Sequence, residues 1–539
     1  MFEGRFTSAA LTGLSVLMAA AMLAACGGGG GGSSGESAPS TSGGQAHPVT
    51  TDSGVSPSCT GCAALSATRY AGQGIGIWEK SNGSASAQDV PVYITGLNGQ
   101  PVTLVFSNES SPDPVAPAAS KPSAPAIAGA APSPHEAAQE FNRTGWKNVP
   151  ASLASKPSPV VRKAAPAPDA PPALNDTRAW LHTDGSEHRV SLVGQRAAGD
   201  GMVFNVWVEN GHFGAGRVDA TIVETVLQGV ARSGGIYEAI VALGGPLWGP
   251  HDAPARYLPA GHHWVDIVLL DFGAAHSADQ GYFWGLNNHV AIAGSNESLA
   301  LVLNAPNVAT LDTRVTLSNV AHELTHMQNF YRRNVAAGGG GPFDTWLEEM
   351  TAMMAEDFVS MHLSPVFNSI REGRLPTYLA GNYNCPMLQF SGDDPHCESY
   401  SVAGTFGGYL LRQHGTAFFK DLLTRAQHAD SQVLVDEALR ASVPSSSFGQ
   451  AFRRFAVTAG ALLGPDAPGG YGFPAWHDAQ FSLIPINPLD WAWSRQVPPQ
   501  LPGEIASYGS VPLVRPSAGT FYSEVVRVPA GTTLSVVIR

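Results

Sequence analysis

The sequence predicts an α+β fold in which a mixed sheet packs against helices, with small β-rich modules on its N- and C-terminal sides. Two apolar runs, 264–270 and 299–304, have the length and composition of buried strands. They are interspersed with segments of helical periodicity, of which 311–330 and 345–357 are the clearest. Short β-branched runs punctuated by Gly and Pro dominate towards both ends. We therefore expect the mixed sheet and the helices to share one central domain.

Residues 1–26 are typical of a bacterial signal peptide. Arg5 precedes an Ala-, Leu- and Met-rich stretch, 9–25, which is short for the roughly twenty apolar residues of a membrane-spanning helix. The stretch ends in Leu23–Cys26, which resembles the lipobox, a motif whose cysteine is lipidated. We therefore expect Cys26 to carry a lipid anchor, and the protein to be an exported lipoprotein of the outer membrane or the cell surface.

Composition divides the rest of the chain into four segments. Residues 27–56 are rich in Gly and Ser and are typical of a flexible tether. Residues 57–175 combine a small β-rich module with a Pro/Ala-rich spacer, in which 135–149 has the pattern of one short helix. At the other end, 485–539 is Pro/Gly-rich with strand-like runs and predicts a β-rich appendage. The candidate chemistry lies between them, in 176–484.

That chemistry centres on a predicted helix with His322, Glu323 and His326 in the pattern H-E-x-x-H. Residues four apart on a helix share a face, so the two imidazoles can bind the same zinc ion. Glu323 is about 100° away around the helix, close enough to reach a water that the metal activates. The motif predicts one Zn²⁺ ion and Glu323 as the general base. The alternative is an ordinary helix with two surface histidines.

Zinc needs a third protein ligand, and the sequence restricts its position. The metzincin motif would place a histidine six residues after His326, where this chain has Arg332. A glycine run at 338–341 allows the chain to turn back into a second helix, which carries Glu348 and Glu349. The third ligand is therefore expected to be a glutamate of this second helix.

The second helix begins with Trp346–Glu349, which resembles the W-L-x-E element of gluzincin peptidases. In those enzymes the last Glu binds zinc, so the resemblance implies Glu349 as the third ligand. It also implies that Glu356 orients a ligating histidine, as in aminopeptidase N-like enzymes. Tyr400 begins a segment similar to the tyrosine-led helix of the same enzymes, which implies that its hydroxyl stabilises the oxyanion. The position of Gly404 departs from that pattern by one residue.

A longer stretch, from about 180 to 415, resembles the hyicolysin-type secreted bacterial metallopeptidases. The shared pieces occur in the same order before the candidate zinc helix: Phe204–Val208, Pro246–Pro250, Gly281–Trp284 and Ser295–Glu297. The resemblance implies a zincin-like metallopeptidase domain that hydrolyses peptide bonds of proteins outside the cytoplasm. The sequence has no G-x-M-E-N-like motif for an amino terminus, which favours endopeptidase over aminopeptidase activity.

The four cysteines other than Cys26 form two pairs in the sequence, Cys59 with Cys62 and Cys385 with Cys397. An exported protein folds in an oxidising compartment, where such pairs form disulfides. We therefore predict the disulfides Cys59–Cys62 and Cys385–Cys397.

Composition also restricts the partners. The net charge is −13 over 539 residues, and the sequence has no basic cluster or phosphate-binding loop, which argues against nucleic acid as a partner. We expect a protein or peptide substrate and attachment to a membrane through the lipid; the sequence indicates no oligomeric state. The alternatives are a surface lipoprotein that uses a metallopeptidase-like fold for binding or adhesion, an aminopeptidase, and a non-peptide hydrolase. Segment 299–304 is either a core strand or a strand that pairs with an extended substrate.

Overall fold

The computed structural model describes residues 51–110, 132–149, 171–336, 340–363, 367–392, 394, 396–425, 430–516 and 519–539. The predicted signal peptide with Cys26, most of the tether and much of the Pro/Ala-rich spacer lie outside these residues. Within the described ranges, no helix is both long enough and apolar enough to span a bilayer.

The strands, in chain order, are β1 (Ser56–Pro57), β2 (Ala64–Ser66), β3 (Arg69–Tyr70), β4 (Gly76–Ser81), β5 (Gln88–Thr95), β6 (Val102–Asn108), β7 (Thr177–Leu181), β8 (Glu187–Ala197), β9 (Val203–Glu209), β10 (Trp264–Leu270), β11 (Gly281–Phe283), β12 (Ala300–Asn304), β13 (Trp476–His477), β14 (Ser482–Leu483), β15 (Ser510–Arg515), β16 (Phe521–Val528) and β17 (Thr532–Ile538). The helices are α1 (Pro134–Arg143), α2 (Ala220–Ala231), α3 (Ile236–Gly244), α4 (Ala305–Thr310), α5 (Thr313–Phe330), α6 (Thr345–Leu363), α7 (Leu375–Leu379), α8 (Ser399–Thr424), α9 (Ser431–Ser442) and α10 (Phe448–Gly460). The mixture agrees with the predicted α+β class.

The central sheet has the strand order β11-β12-β10-β9-β8-β7. Strands β9, β10 and β12 are parallel to one another, whereas β11 runs antiparallel to β12. Segment 299–304 is therefore a core strand, because β12 is paired on both sides. The edge strand next to the site is β11, which the sequence does not predict.

The two site helices, α5 and α6, pack against each other, and α5 also contacts the edge strand β11. Helix α8 packs against α6. Gly404 and Gly407 of α8 make this contact possible. A Cβ atom at Gly404 would lie 2.6 Å from Sδ of Met353, and one at Gly407 would lie 2.8 Å from Cγ of Met354. Both distances are shorter than a van der Waals contact, so glycine at these positions lets α8 approach the helix that carries Glu349.

A buried ion pair fixes α6 against α8. The guanidinium of Arg412 contacts both carboxylate oxygens of Asp357, at 2.5 and 3.1 Å, and neither side chain is exposed. Asn368 donates a further hydrogen bond to Asp357 over 2.6 Å. Buried charges of this kind are tolerated only when they are paired and hydrogen-bonded, so the contact selects one arrangement of the two helices.

The β-rich segments at the two ends of the described chain form one sandwich rather than two modules. One sheet has the order β1-β4-β17-β6-β15, and the other β16-β5-β3-β2. Strand β17 lies between β4 and β6, and β16 pairs with β5 over its whole length. The expectation of separate N- and C-terminal modules is therefore corrected: each segment supplies strands that complete the other's sheets. Pairing over such a sequence distance leaves no local signal.

Both predicted disulfides are present in the structure. Cys59 is bonded to Cys62 near the edge of the sandwich, and Cys385 is bonded to Cys397 in the loop that precedes α8. The second bond closes the connection that leads into Tyr400.

Candidate metal centre and substrate cleft

Three potential metal ligands converge where α5 faces α6. His322 and His326 lie one turn apart on α5, and Glu349 projects from the first turns of α6. The Nε2 atom of His322 is 3.1 Å from one carboxylate oxygen of Glu349, and that of His326 is 3.4 Å from the other. All three groups are buried, and the ligand atoms lie within 4.8 Å of one another. The structure thus brings the three sequence-predicted ligands together.

This donor set fits zinc in chemistry and in spacing. Ligand atoms about 2.0–2.1 Å from a tetrahedral zinc ion lie about 3.3–3.4 Å apart, which is close to the 3.1 and 3.4 Å that separate Glu349 from the two imidazoles. The Nε2 atom of His326 is buried and has no hydrogen-bond partner among the described residues. An imidazole nitrogen in that position is costly unless it has a ligand.

A carboxylate binds the other nitrogen of each imidazole. Nδ1 of His322 is 2.8 Å from Glu356, and Nδ1 of His326 is 2.8 Å from Glu348. If both Nδ1 atoms donate a proton to these carboxylates, each Nε2 keeps its lone pair for a metal. Glu356 lies where the resemblance to aminopeptidase N-like enzymes implied. Glu348, which spacing alone left as a rival ligand, contacts the outer nitrogen of His326 instead.

The electrostatics of the cluster suit a cation. Burial lowers the pKa of His322, but hydrogen bonds to Glu349 and Glu356 outweigh this effect and raise the pKa to about 9. Burial raises the pKa of Glu349, yet the neighbouring histidines, with His326 the strongest, hold that pKa well below its usual range. The carboxylates thus create a negative potential at the two imidazoles, which favours any positive charge bound there.

Glu323 lies beside the ligands, on the side that faces the edge strand β11. It is buried, and its Oε2 atom has no hydrogen-bond partner among the described residues. A Cβ atom on Gly281 would be 3.6 Å from Oε1 of Glu323 and only 2.8 Å from the carbonyl oxygen of Val302. The glycine therefore allows β11 to pass close to Oε1 of Glu323, while Oε2 has no hydrogen-bond partner among the described residues.

Tyr400 is in the first turn of α8, where Glu398 caps the helix. Its hydroxyl is 2.8 Å from Nε2 of His135, a nitrogen that is itself 3.7 Å from Glu349. Burial raises the pKa of Tyr400 well above its usual value, and the negative charge of Glu349 raises it further. The hydroxyl therefore stays protonated and can donate a hydrogen bond.

Helix α1 supplies site residues whose roles the sequence does not predict. Ser133 and Glu136 form a reciprocal capping box that starts the helix. One turn in, Gln139 donates a hydrogen bond of 2.5 Å to Oε1 of Glu349. His135 binds the carbonyl of Gly281 through Nδ1, over 2.9 Å. The sequence predicted a short helix here within a spacer; the S-x-x-E cap was its local signal, and nothing local indicated where the helix would dock.

A cleft opens between α1, α5 and the start of α6. The polar groups at its base are Glu323, His326 and Glu349, and aromatic side chains form part of its wall: Tyr282, Phe283, Phe330 and Phe343. Polar groups that converge in an otherwise apolar cleft are typical of a binding site for an organic substrate.

Comparisons with known proteins give one extensive match. A family model described as Peptidase M30 matches residues 184–539, which include His322, Glu323, His326, Glu349 and Tyr400. A second model, described as a domain of unknown function (DUF8571), matches residues 57–120. Helix α1 lies between the two matched ranges.

No curated protein matches the chain. Among solved structures, it is similar to a mutant of a two-domain M1 zinc metallopeptidase bound to L-tryptophan, with 12% sequence identity and a TM-score of 0.26. That similarity covers 47% of this chain and 48% of the other, so the chain spans about half of that structure. At this level the match adds nothing to the family comparison.

Proposed function

Because the chain belongs to the peptidase M30 family, we propose that it is a zinc-dependent endopeptidase that cleaves proteins outside the cytoplasm. One observation carries the proposal: His322, His326 and Glu349 converge beside Glu323, whose carboxylate has an oxygen without a hydrogen-bond partner in the described part of the chain. A metal site that served structure alone would need no such carboxylate, because structural zinc sites are closed by four protein ligands.

One zinc ion would be held by Nε2 of His322, Nε2 of His326 and the carboxylate of Glu349. When bound, zinc supplies Lewis acidity, which polarises a carbonyl and lowers the pKa of a water molecule. Glu356 and Glu348 hold the two imidazoles in the required orientation through their Nδ1 atoms.

Glu323 acts as the general base and then as the general acid. Its free carboxylate oxygen accepts a proton from the attacking water, whose oxygen forms a bond to the scissile carbonyl carbon. When the C–N bond breaks, the same proton passes to the leaving amine. The buried position of Glu323 keeps bulk water from competing for this transfer.

Tyr400 donates its hydroxyl proton in a hydrogen bond to the oxygen that becomes negative as water adds. A neutral donor aimed at developing charge contributes most in a buried site. The extended substrate would pair with the outer edge of β11, because this strand ends the sheet and passes directly beside Glu323.

The cellular location is part of the proposal. The signal-peptide pattern of residues 1–26 and the lipobox at Cys26 support export and a lipid anchor, and two disulfides agree with an oxidising compartment. The anchor would hold the enzyme at the outer membrane or the cell surface.

The test is digestion of unfolded casein by the chain from residue 27 onwards. Wild type and Glu323→Gln are compared, each with and without a zinc chelator. We expect cleavage by wild type alone, lost with chelator, and a decrease of about 10²–10⁴-fold in kcat for Glu323→Gln at unchanged zinc content. Full activity of the zinc-loaded Glu323→Gln protein would contradict the proposed base. No cleavage by folded, zinc-loaded wild type would favour a binding function.

A further inference from the structure

We infer that helix α1 is an internal occupant of the substrate cleft, so that the described conformation is a latent form of the enzyme. This inference rests on the proposed function, since it concerns the cleft and the edge strand that a substrate would use. The structure provides three separate reasons: what α1 binds on β11, what it binds at the metal centre, and where it lies relative to the family match.

First, α1 takes the hydrogen bonds that an extended substrate would make with β11. The inner side of β11 pairs with β12, which leaves the carbonyls of Gly281 and Phe283 on the outer edge. His135 bonds to the Gly281 carbonyl at 2.9 Å, and Asn142 donates to the Phe283 carbonyl at 2.8 Å. Side chains of one helix thus satisfy the acceptors that otherwise receive backbone N–H groups from an added strand.

Second, α1 binds two groups that the reaction needs. The amide of Gln139 donates to Oε1 of the candidate ligand Glu349 at 2.5 Å. The Tyr400 hydroxyl is 2.8 Å from Nε2 of His135, which also contacts the amide of Gln139 at 2.7 Å. Helix α1 thus occupies the place beside this hydroxyl that an oxyanion would need, so the described arrangement suits storage and not turnover.

Third, α1 is outside the sequence that defines the family. The Peptidase M30 match starts at residue 184, and the other match ends at 120. The sequences on both sides of α1, 111–131 and 150–170, are rich in Pro and Ala, a composition typical of spacers. The predicted ligands, the predicted base and Tyr400 all lie within the family match, whereas α1 lies outside it. This is expected when a segment regulates an enzyme without taking part in catalysis.

The packing of α1 agrees with a helix that can be displaced. Ala138 is buried among the aromatic side chains below the sheet edge, and Phe141 contacts Trp284 edge-on. Gln139 and Asn142 are only half-buried, and their contacts are hydrogen bonds. A peptide that pairs with β11 would replace those bonds with equivalent ones. Substrate and α1 would then compete, and the apparent KM would rise in inverse proportion to the fraction of molecules in which α1 is displaced.

The first experiment weakens the binding of α1 to the cleft and leaves the residues of the family match unchanged. The double variant Gln139→Ala/Asn142→Ala removes the hydrogen bond to Glu349 and the one to the Phe283 carbonyl of β11, and leaves the bond of His135 to Gly281 in place. We expect kcat/KM for carboxymethylated casein to increase about tenfold or more. The matched control is Glu140→Ala, because Glu140 is exposed and its partners among the described residues are Arg143 and Thr144. This variant should stay within about twofold of wild type. An unchanged or lower kcat/KM in the double variant would overturn the inference.

The second experiment keeps α1 intact and does not depend on turnover. Hydrogen exchange of residues 134–143 is measured in the full Glu323→Gln chain, with and without excess carboxymethylated casein. Displacement predicts that casein accelerates exchange in α1 by about tenfold or more; unchanged or slower exchange would show that α1 is a permanent wall of the site. If casein accelerates this exchange but wild type cleaves nothing, the peptidase proposal fails while the competition for the cleft stands.

Discussion

The metal-binding side of the site and its substrate-facing side are built in different ways. The metal side comes from two consecutive helices, α5 and α6, and all its groups lie within residues 322–356. The substrate side brings together Gly281 of the edge strand β11 and Tyr400 of α8, and in the described conformation His135 of α1 contacts both. Helical spacing alone places the metal-side residues on facing surfaces of α5 and α6. The substrate-side residues come together only through the tertiary fold of the whole domain.

The largest expected change in kcat on the substrate side comes from replacing Tyr400. Tyr400→Phe removes the proposed hydrogen-bond donor to the oxyanion and should lower kcat for casein about 10²–10³-fold, while zinc content stays at the wild-type level. Steady-state kinetics and metal analysis on the same samples check both.

The control for this change is Tyr409→Phe in the same helix. The Tyr409 hydroxyl donates to the carbonyl of Gly470, at 2.6 Å, so its loss should leave kcat at the wild-type value. An equal kcat in Tyr400→Phe and Tyr409→Phe would remove Tyr400 from the mechanism and leave the substrate side without an oxyanion donor.

Glu348 offers a smaller effect, confined to the metal side. Its carboxylate is 2.8 Å from Nδ1 of His326, and Asn329 donates to the same oxygen at 3.1 Å. Glu348→Gln should weaken zinc binding about 10–100-fold, because a neutral amide orients the imidazole less well. At saturating zinc, kcat should be close to wild type.

The measurement is a zinc titration in a competing chelator buffer. Glu356→Gln serves as the matched variant, since Glu356 makes the same contact with His322, and Glu372→Gln serves as the control, since Glu372 is an acid more than a third exposed and paired with Arg371. A Glu348→Gln protein with wild-type zinc affinity would show that the hydrogen bond to His326 has no role in metal binding.

The sequence predicts the metal side of the site better than the substrate side, for the same reason. H-E-x-x-H fixes one face of α5 by helical periodicity alone, and the W-L-x-E resemblance selects Glu349 over Glu348. No such rule places His135 or Gln139, because their positions depend on where α1 docks against β11. A three-residue strand that begins at Gly281 also has too little periodicity to be recognised in advance.

The same limit applies to the fold. Segments 264–270 and 299–304 are recognisable as strands from their apolar composition, and each is present as expected. Strands β16 and β17 were likewise expected, but their partners β5 and β4 lie more than four hundred residues earlier in the chain. The sequence of a strand indicates that it pairs with another strand but does not identify which one. The sequence therefore predicts two modules where the structure has one sandwich.

The assignment of the metal centre is best tested by measuring the zinc content of three proteins after dialysis against buffered free zinc. We expect one zinc ion per chain in wild type and in Glu323→Gln, and loss of that ion in Glu349→Gln, because Glu349 is the ligand proposed on α6 and Glu323 is the proposed base. A wild-type chain without zinc, or a Glu349→Gln chain that keeps zinc with wild-type affinity, would contradict the assignment of the metal centre.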